Sequence, residues 1–374
     1  MRLKVPPCRV IALFTRKAGI SGTANIRRLR GHAMIGSGLS HRRSATPASR
    51  RALLRALGAS AAAAALAGCA SLAGETTRFY SSRLAANPTL LVATTRKSVN
   101  GGRTKPWYGA ERGALSLAHV HLTPPGTDGF SFAAIGGGDW AIERVEPMRG
   151  QLGDLIAEVQ ERSVLVYIHG FRNTFEGAAL DAAQLSDAVG FSGDTMIFSW
   201  PSKAGLFDYV SDRESAMWSR DAFERVLDAM MLSRSRGRVH LVAHSLGTMI
   251  TLEGLRQIYA RYGDTAADKI GAVVFASPDL DIDVFTSSIE RLGSLARKIT
   301  IVTATNDRAL ALSRRIAGGI TRVGAAEKAQ LERLGLNVID ASDGWGIVNH
   351  DAFLTNGEVR KVIRRAIENG TVNL

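Results

Sequence analysis

From Thr89 almost to the end of the chain, short apolar runs alternate with stretches in which apolar residues recur every three or four positions. The runs predict buried strands and the periodic stretches predict amphipathic helices. Strands are expected at residues 90–95, 115–122, 140–145, 163–168, 195–200, 238–244, 271–276, 299–304 and 337–339. Helices are expected at 176–188, 214–232, just after Ser245, near 284–295, from Arg308 and near 357–367. In the 214–232 stretch, Ala216, Phe223, Val226, Leu227 and Met230 fall on one face. Val164 to Ile168 is apolar throughout, as a central strand covered on both faces requires. Repeated strand–helix order with right-handed crossovers predicts an α/β fold, a doubly wound and mostly parallel sheet with helices on both faces. No gap suits a large lid domain, and residues 201–213 form the longest irregular loop near the expected site.

One junction carries chemistry. The strand ending Val242-Ala243-His244 runs into Ser245-Leu246-Gly247, and helical spacing begins at once with Met249, Ile250, Leu252, Leu255 and Ile258. A serine between small residues on a sharp strand-to-helix turn is the setting of a nucleophile elbow, which lifts the hydroxyl off the end of the sheet. Ala243 stands where G-x-S-x-G has its first glycine, and Gly247 keeps the second. A serine after a strand can also be a helix cap, so partners are needed to separate the readings.

A serine nucleophile needs a base, an acid to orient that base, and N–H donors for the oxyanion. On strand–elbow–helix scaffolds the chain order is Ser, acid, His. Of eight histidines only His350 follows Ser245, in a loop past the last strand, and it is the expected base. His244 neighbours the serine but points elsewhere and is expected to shape the pocket. Candidate acids between the serine and the histidine include Asp264, Asp268, Asp279, Asp281, Asp283, Asp307, Asp340 and Asp343. Asp307 follows the strand after next from the elbow and is the expected orienter. Helix capping is its bland alternative, and Asp279, Asp283 and then Asp343 are its rivals. The Leu246 amide is one expected oxyanion donor. The other is the Phe171 amide, in His169-Gly170-Phe171-Arg172-Asn173 after strand 163–168, where Gly170 permits close approach. His169, Gly170, His244 and Trp200 are the expected pocket residues.

Leu91-Val92-Ala93-Thr94-Thr95-Arg96, Tyr108-Gly109-Ala110-Glu111-Arg112-Gly113, Tyr167-Ile168-His169-Gly170-Phe171, Phe198-Ser199-Trp200-Pro201-Ser202, Ala243-His244-Ser245-Leu246-Gly247 and Asn306-Asp307-Arg308-Ala309-Leu310 together resemble a bacterial α/β-hydrolase family of unknown function, described as esterase/lipase-like. The resemblance spans most of residues 89–355. It implies the α/β-hydrolase fold, supports Ser245, Asp307 and His350 as a triad, and names no substrate.

Charge looks at first like a nucleic-acid signal, since the chain carries +13. Thirteen of its 47 basic residues lie in residues 1–68, which hold no acid, so the body is balanced at 34 of each sign. No nucleic-acid partner is expected. The leader reads instead as an export signal. Ser49-Arg50-Arg51 resembles a twin-arginine motif, residues 56–67 form a short apolar run, and Leu66-Ala67-Gly68-Cys69 resembles a lipobox. The run is shorter than the ~20 residues that span a bilayer. The expected organisation is a leader over 1–68, with a true start at Met34, then a lipidated tether over 69–88 and a hydrolase domain over 89–374. A lipid on Cys69 would hold the chain to a membrane facing the periplasm, and Ala70 favours the outer membrane. Cys8 and Cys69 are the only cysteines, so the body has no thiol nucleophile, disulfide or Cys-based metal site. No metal or organic cofactor is expected.

These readings converge on a serine hydrolase, with a small or medium ester the favoured substrate and short peptides and amides left open. The alternative is a catalytically silent hydrolase fold serving as an envelope scaffold. Mass spectrometry of the mature N-terminus checks the leader: a diacylated Cys69 is expected, and a chain that keeps residues before Cys69 contradicts it.

Overall fold

The computed structural model describes residues 82–125, 139–203, 205, 208–316, 318–342 and 349–369. The leader 1–68 and Cys69 lie outside them, as does most of the expected tether. Among the described residues nine strands form one sheet: β1 (Thr89–Ser98), β2 (Tyr108–Thr123), β3 (Ala141–Met148), β4 (Val164–Ile168), β5 (Asp194–Ser199), β6 (Val239–His244), β7 (Ile270–Ala276), β8 (Ile299–Thr303) and β9 (Asn337–Asp340). Their order is β3-β2-β1-β5-β4-β6-β7-β8-β9. β2 pairs antiparallel with β1 and β3, and the pairings from β1–β5 through β8–β9 are parallel.

Side-chain alternation divides the core. Val164, Val166 and Ile168 of β4 join a layer with Phe223, Val226 and Leu255 from the helices Tyr209–Leu232 and Gly247–Tyr262. Leu165 and Tyr167 point the other way, into a layer with Phe175 and Ala179 of Phe175–Ala188 and with Ile363 of Gly357–Asn369. A strand buried on both faces has no polar side to spare, which is why β4 reads as an unbroken apolar run.

Three expected boundaries move. Residues 82–88 belong to the domain rather than to a tether. Ser82 donates to Asp187 at 2.8 Å, Arg83 donates to Asp194 at 2.8 Å, and Leu84 is buried. The 214–232 helix starts at Tyr209, which shortens the expected 201–213 loop. Its early turn is tied down by Asp212, which accepts from Ser202 Oγ at 2.5 Å and from the Lys203 amide at 2.9 Å, a long-range bond that periodicity does not reveal. The stretch expected to be one helix over 284–295 splits into Ile282–Ile289 and a 3₁₀ segment, Gly293–Lys298. Helix Leu152–Val159, too short to show a long apolar stripe, also joins the first core layer through Leu155, Ile156 and Val159.

Parallel register sets the edge on which a site can form. Ile168 of β4 is level with Phe198 of β5 and Ala243 of β6, and His244 is level with Ala276 of β7. The carboxyl ends of these strands therefore finish together, and the loops leaving them share one edge, where open α/β sheets bind ligands. At the turn after β6 the backbones nearly touch. A Cβ on Gly247 would lie 2.6 Å from the carbonyl oxygens of both Ile168 and His169. Gly247→Ala is expected to cost about 1–3 kcal/mol, the range for forcing extra atoms into close packing. The urea midpoint measures it; an unchanged midpoint would show that the elbow has slack.

Candidate active site

Ser245 takes φ +50°, a left-handed backbone conformation, between β6 and helix Gly247–Tyr262. Neighbouring elements hold it there. Its amide donates to Ala276 O at 3.0 Å, and its carbonyl accepts from the amides of Thr248 at 3.1 Å and Asp279 at 3.3 Å. The side chain reaches a cavity of about 500 Å³ also lined by Phe171, Asp279, Leu312 and His350.

His350 enters this cavity from the turn Asn349–Asp351, far along the chain. Its Nδ1 lies 2.7 Å from Asp307 Oδ2, and its carbonyl accepts from Ser277 Oγ at 3.0 Å and from His244 Nε2 at 3.2 Å. A carboxylate at Nδ1 holds the proton on that nitrogen, so the neutral ring carries its lone pair on Nε2. Burial pulls the imidazole pKa down, but the hydrogen bond and charge of Asp307, with the charges of Asp351 and Asp279, hold it above the ordinary histidine value.

Asp307 divides its two oxygens. Oδ2 faces His350, while Oδ1 accepts from the amides of Ala309 at 2.8 Å and Leu310 at 3.1 Å. The helix cap and the histidine partner are therefore one side chain, not competing alternatives. Among the other acids, Asp279 accepts from Ser313 at 2.6 Å and pairs with the buried Arg322 at 3.2 Å. Asp281 caps helix Ile282–Ile289, and Asp340 accepts from the Ser342 amide at 2.9 Å. Asp343 lies outside the described residues.

The Phe171 and Leu246 amides donate to no backbone acceptor among the described residues. Phe171 lines the cavity and Leu246 precedes helix Gly247–Tyr262, whose N-terminus favours negative charge. Gly170 brings its loop against the elbow: a Cβ there would sit 2.9 Å from Ser245 Cβ and 2.9 Å from His244 Nδ1.

Of the four expected pocket residues, His244 lines the cavity, whereas His169 and Trp200 are fully buried behind it. Their rings stack 4.9 Å apart, Trp200 Nε1 donates to His169 O at 2.8 Å, and the Trp200 amide donates to His169 Nε2 at 3.1 Å. Burial, aided by the charge of Arg96, pushes His169 down to about 3, so it stays neutral and acts as a strut. Gly170 likewise serves the close approach rather than the cavity lining. His244 is held well below the ordinary range by burial and by the neighbouring His350.

Sequence reasoning noted Arg96 in a motif but gave it no role. Buried at the end of β1, it donates to Ser199 Oγ at 2.9 Å, to the carbonyls of Gly109 at 3.1 Å and Ser202 at 3.0 Å, and to Asn173 O at 2.6 Å. One guanidinium thus ties together β1, β2, the β5 end and the loop bearing Phe171. An arginine closing an apolar strand was the available signal, though nothing local distinguishes it from a surface charge. Asp181 was missed too, as was the cavity-lining role of the expected helix Arg308–Ile316, while Tyr209 falls in the 201–213 stretch expected at the pocket rim. Burial pushes Asp181 up to about 6.

The arrangement offers a hydroxyl, a histidine whose outer nitrogen can take a proton, a carboxylate behind that histidine, and two amides that meet no backbone acceptor among the described residues. Among the described residues no cluster of three or more His, Cys, Asp or Glu side chains could hold a metal, and no helix is long and apolar enough to cross a membrane.

Solved structures similar to the chain include a cutinase-like protein from Cryptococcus sp., 14% identical over 57% of this chain and 96% of its own, with a TM-score of 0.33. Others are the catalytic core of an acetyl xylan esterase from Trichoderma reesei (13%, 55% and 99%, TM-score 0.33) and an esterase from Pyrobaculum calidifontis (12%, 75% and 82%, TM-score 0.32). No curated protein sequence matches. A family model matches residues 147–366, and the chain belongs to that family, the alpha/beta hydrolases of unknown function (DUF900).

Proposed function

We propose that the protein is a serine hydrolase that cleaves carboxylic esters through an acyl-enzyme. The observation that carries this reading is the 2.7 Å contact between Asp307 and His350 at the cavity that also receives Ser245. His350 Nε2 removes the Ser245 proton as Oγ bonds to the substrate carbonyl carbon. The resulting oxyanion takes hydrogen bonds from the Phe171 and Leu246 amides. As the carbon–alkoxy bond breaks, His350 returns the proton to the departing alcohol. Water then adds to the acyl carbon, giving a proton to His350. Collapse expels Ser245 Oγ, which recovers that proton, and frees the carboxylic acid. Asp307 orients the ring and stabilises its charged form without taking the proton.

Ser245→Ala is expected to lower kcat for a p-nitrophenyl ester by at least about three orders of magnitude with the fold intact. A folded wild type inert toward a broad panel of acyl substrates would favour the scaffold alternative instead.

The divided role of Asp307 gives a sharper pair. Asp307→Asn keeps an oxygen for the helix cap but loses the carboxylate, so kcat should fall by roughly 10⁴-fold with little change in the unfolding midpoint. Asp307→Ala should lose both, adding about 1 kcal/mol of destabilisation. Equal stability losses in the two variants would contradict the division of labour.

The working form of His350 is neutral, so kcat/KM should be high above its pKa and fall about tenfold per pH unit below it. Because Asp307 helps to hold that pKa above the ordinary 6.5, the break should lie above 6.5 in the wild type and move to lower pH in the residual activity of Asp307→Asn. A break at or below 6.5 in the wild type would count against the Asp307–His350 pair.

A further inference from the structure

The site cavity does not end at the serine. Tyr209 and Ile316 line it and also line a second cavity of about 480 Å³, so the two spaces adjoin across these residues. Met217, Met249, Leu252, Leu280 and Val284 give the second its apolar wall, beside the charged Arg213, Glu214, Glu253 and Arg256. Two of its charged residues, Glu253 and Arg256, pair with one another at 2.6 Å. The residues bordering this path are unusually open for large aliphatic side chains: Val284 is 53% exposed, Leu312 52% and Ile316 49%. Open apolar surface beside the cavity that receives the serine marks a place for an apolar part of the substrate.

Which part is set by proton transfer. The leaving alcohol must receive its proton from His350 and so stays beside it, where Asp351, Asp181 and Thr355 make the cavity wall polar. The acyl chain then leads away. Helix Arg308–Ile316 supplies the direction, beginning next to Asp307 and ending at Ile316, with Leu312 and Ile316 on the cavity wall.

Resting on the ester-hydrolase reading above, the geometry points to an ester with an extended apolar acyl chain as substrate, the chain passing Leu312 and Ile316 toward the second cavity. Each methylene that is fully buried is worth about a fourfold gain in kcat/KM.

The test compares p-nitrophenyl butanoate and decanoate on the full chain and on two variants, Val284→Trp, which fills the far cavity, and Ile316→Asp, which charges the junction. Both positions are exposed, and far-ultraviolet circular dichroism verifies folding. The decanoate-to-butanoate ratio of kcat/KM should be at least about tenfold in the wild type and fall at least about fivefold in each variant. An active wild type with a ratio at or below one, or a ratio unchanged in either folded variant, overturns the acyl path and leaves the ester-hydrolase reading standing. A folded wild type that cleaves neither ester and no other acyl substrate removes both.

Discussion

A serine at φ +50° costs of order 1–3 kcal/mol unless its surroundings over-determine the conformation, and the edge of this sheet does so. Ser245 is bonded through its amide to β7 and through its carbonyl to the loop beyond β7. Gly247 lets the next helix start against the β4 carbonyls, and Gly170 lets the β4 loop come up to the serine side chain. Every other part of the site is arranged relative to this turn. Ala243, in place of a first glycine, is fully buried within β6 without disturbing it.

Buried polar groups stiffen the surroundings. Arg96 donates to three backbone carbonyls and a hydroxyl, linking segments distant in sequence. Burial pushes it down to about 10, which leaves it charged at neutral pH. His169, kept neutral, accepts from the Trp200 amide and stacks on the indole. Such networks are useful only when their members are satisfied, because an unpaired buried polar group costs more than the bond it would make. Here they hold the Phe171 loop and the β5 end in place beside the serine.

Local pattern revealed the strands and the serine because both are written in neighbouring residues. β4 and β6 are apolar runs, and the elbow is a strand, a serine and a helix in immediate succession. His350 could be found by elimination, since it alone follows the serine among the histidines. Asp307 was less legible because its two oxygens do different work, and the cap alone would explain an aspartate before a helix. What stayed hidden depends on contacts between distant residues. His169 and Trp200 look like pocket residues until their mutual stacking is seen, and the early start of helix Tyr209–Leu232 rests on Asp212 reaching back to Ser202. Likewise, the second cavity beside Ile316 draws its walls from four separate helices and has no signature along the chain.

The central claim is that Ser245 is the attacking atom. Peptide mapping after reaction with a fluorophosphonate tests it most directly, because the reagent bonds only to an activated hydroxyl. A single phosphonyl adduct on the peptide containing Ser245, forming faster as pH rises through the His350 titration, is the predicted result. An adduct on another residue, or none on folded protein at any pH, would contradict the account.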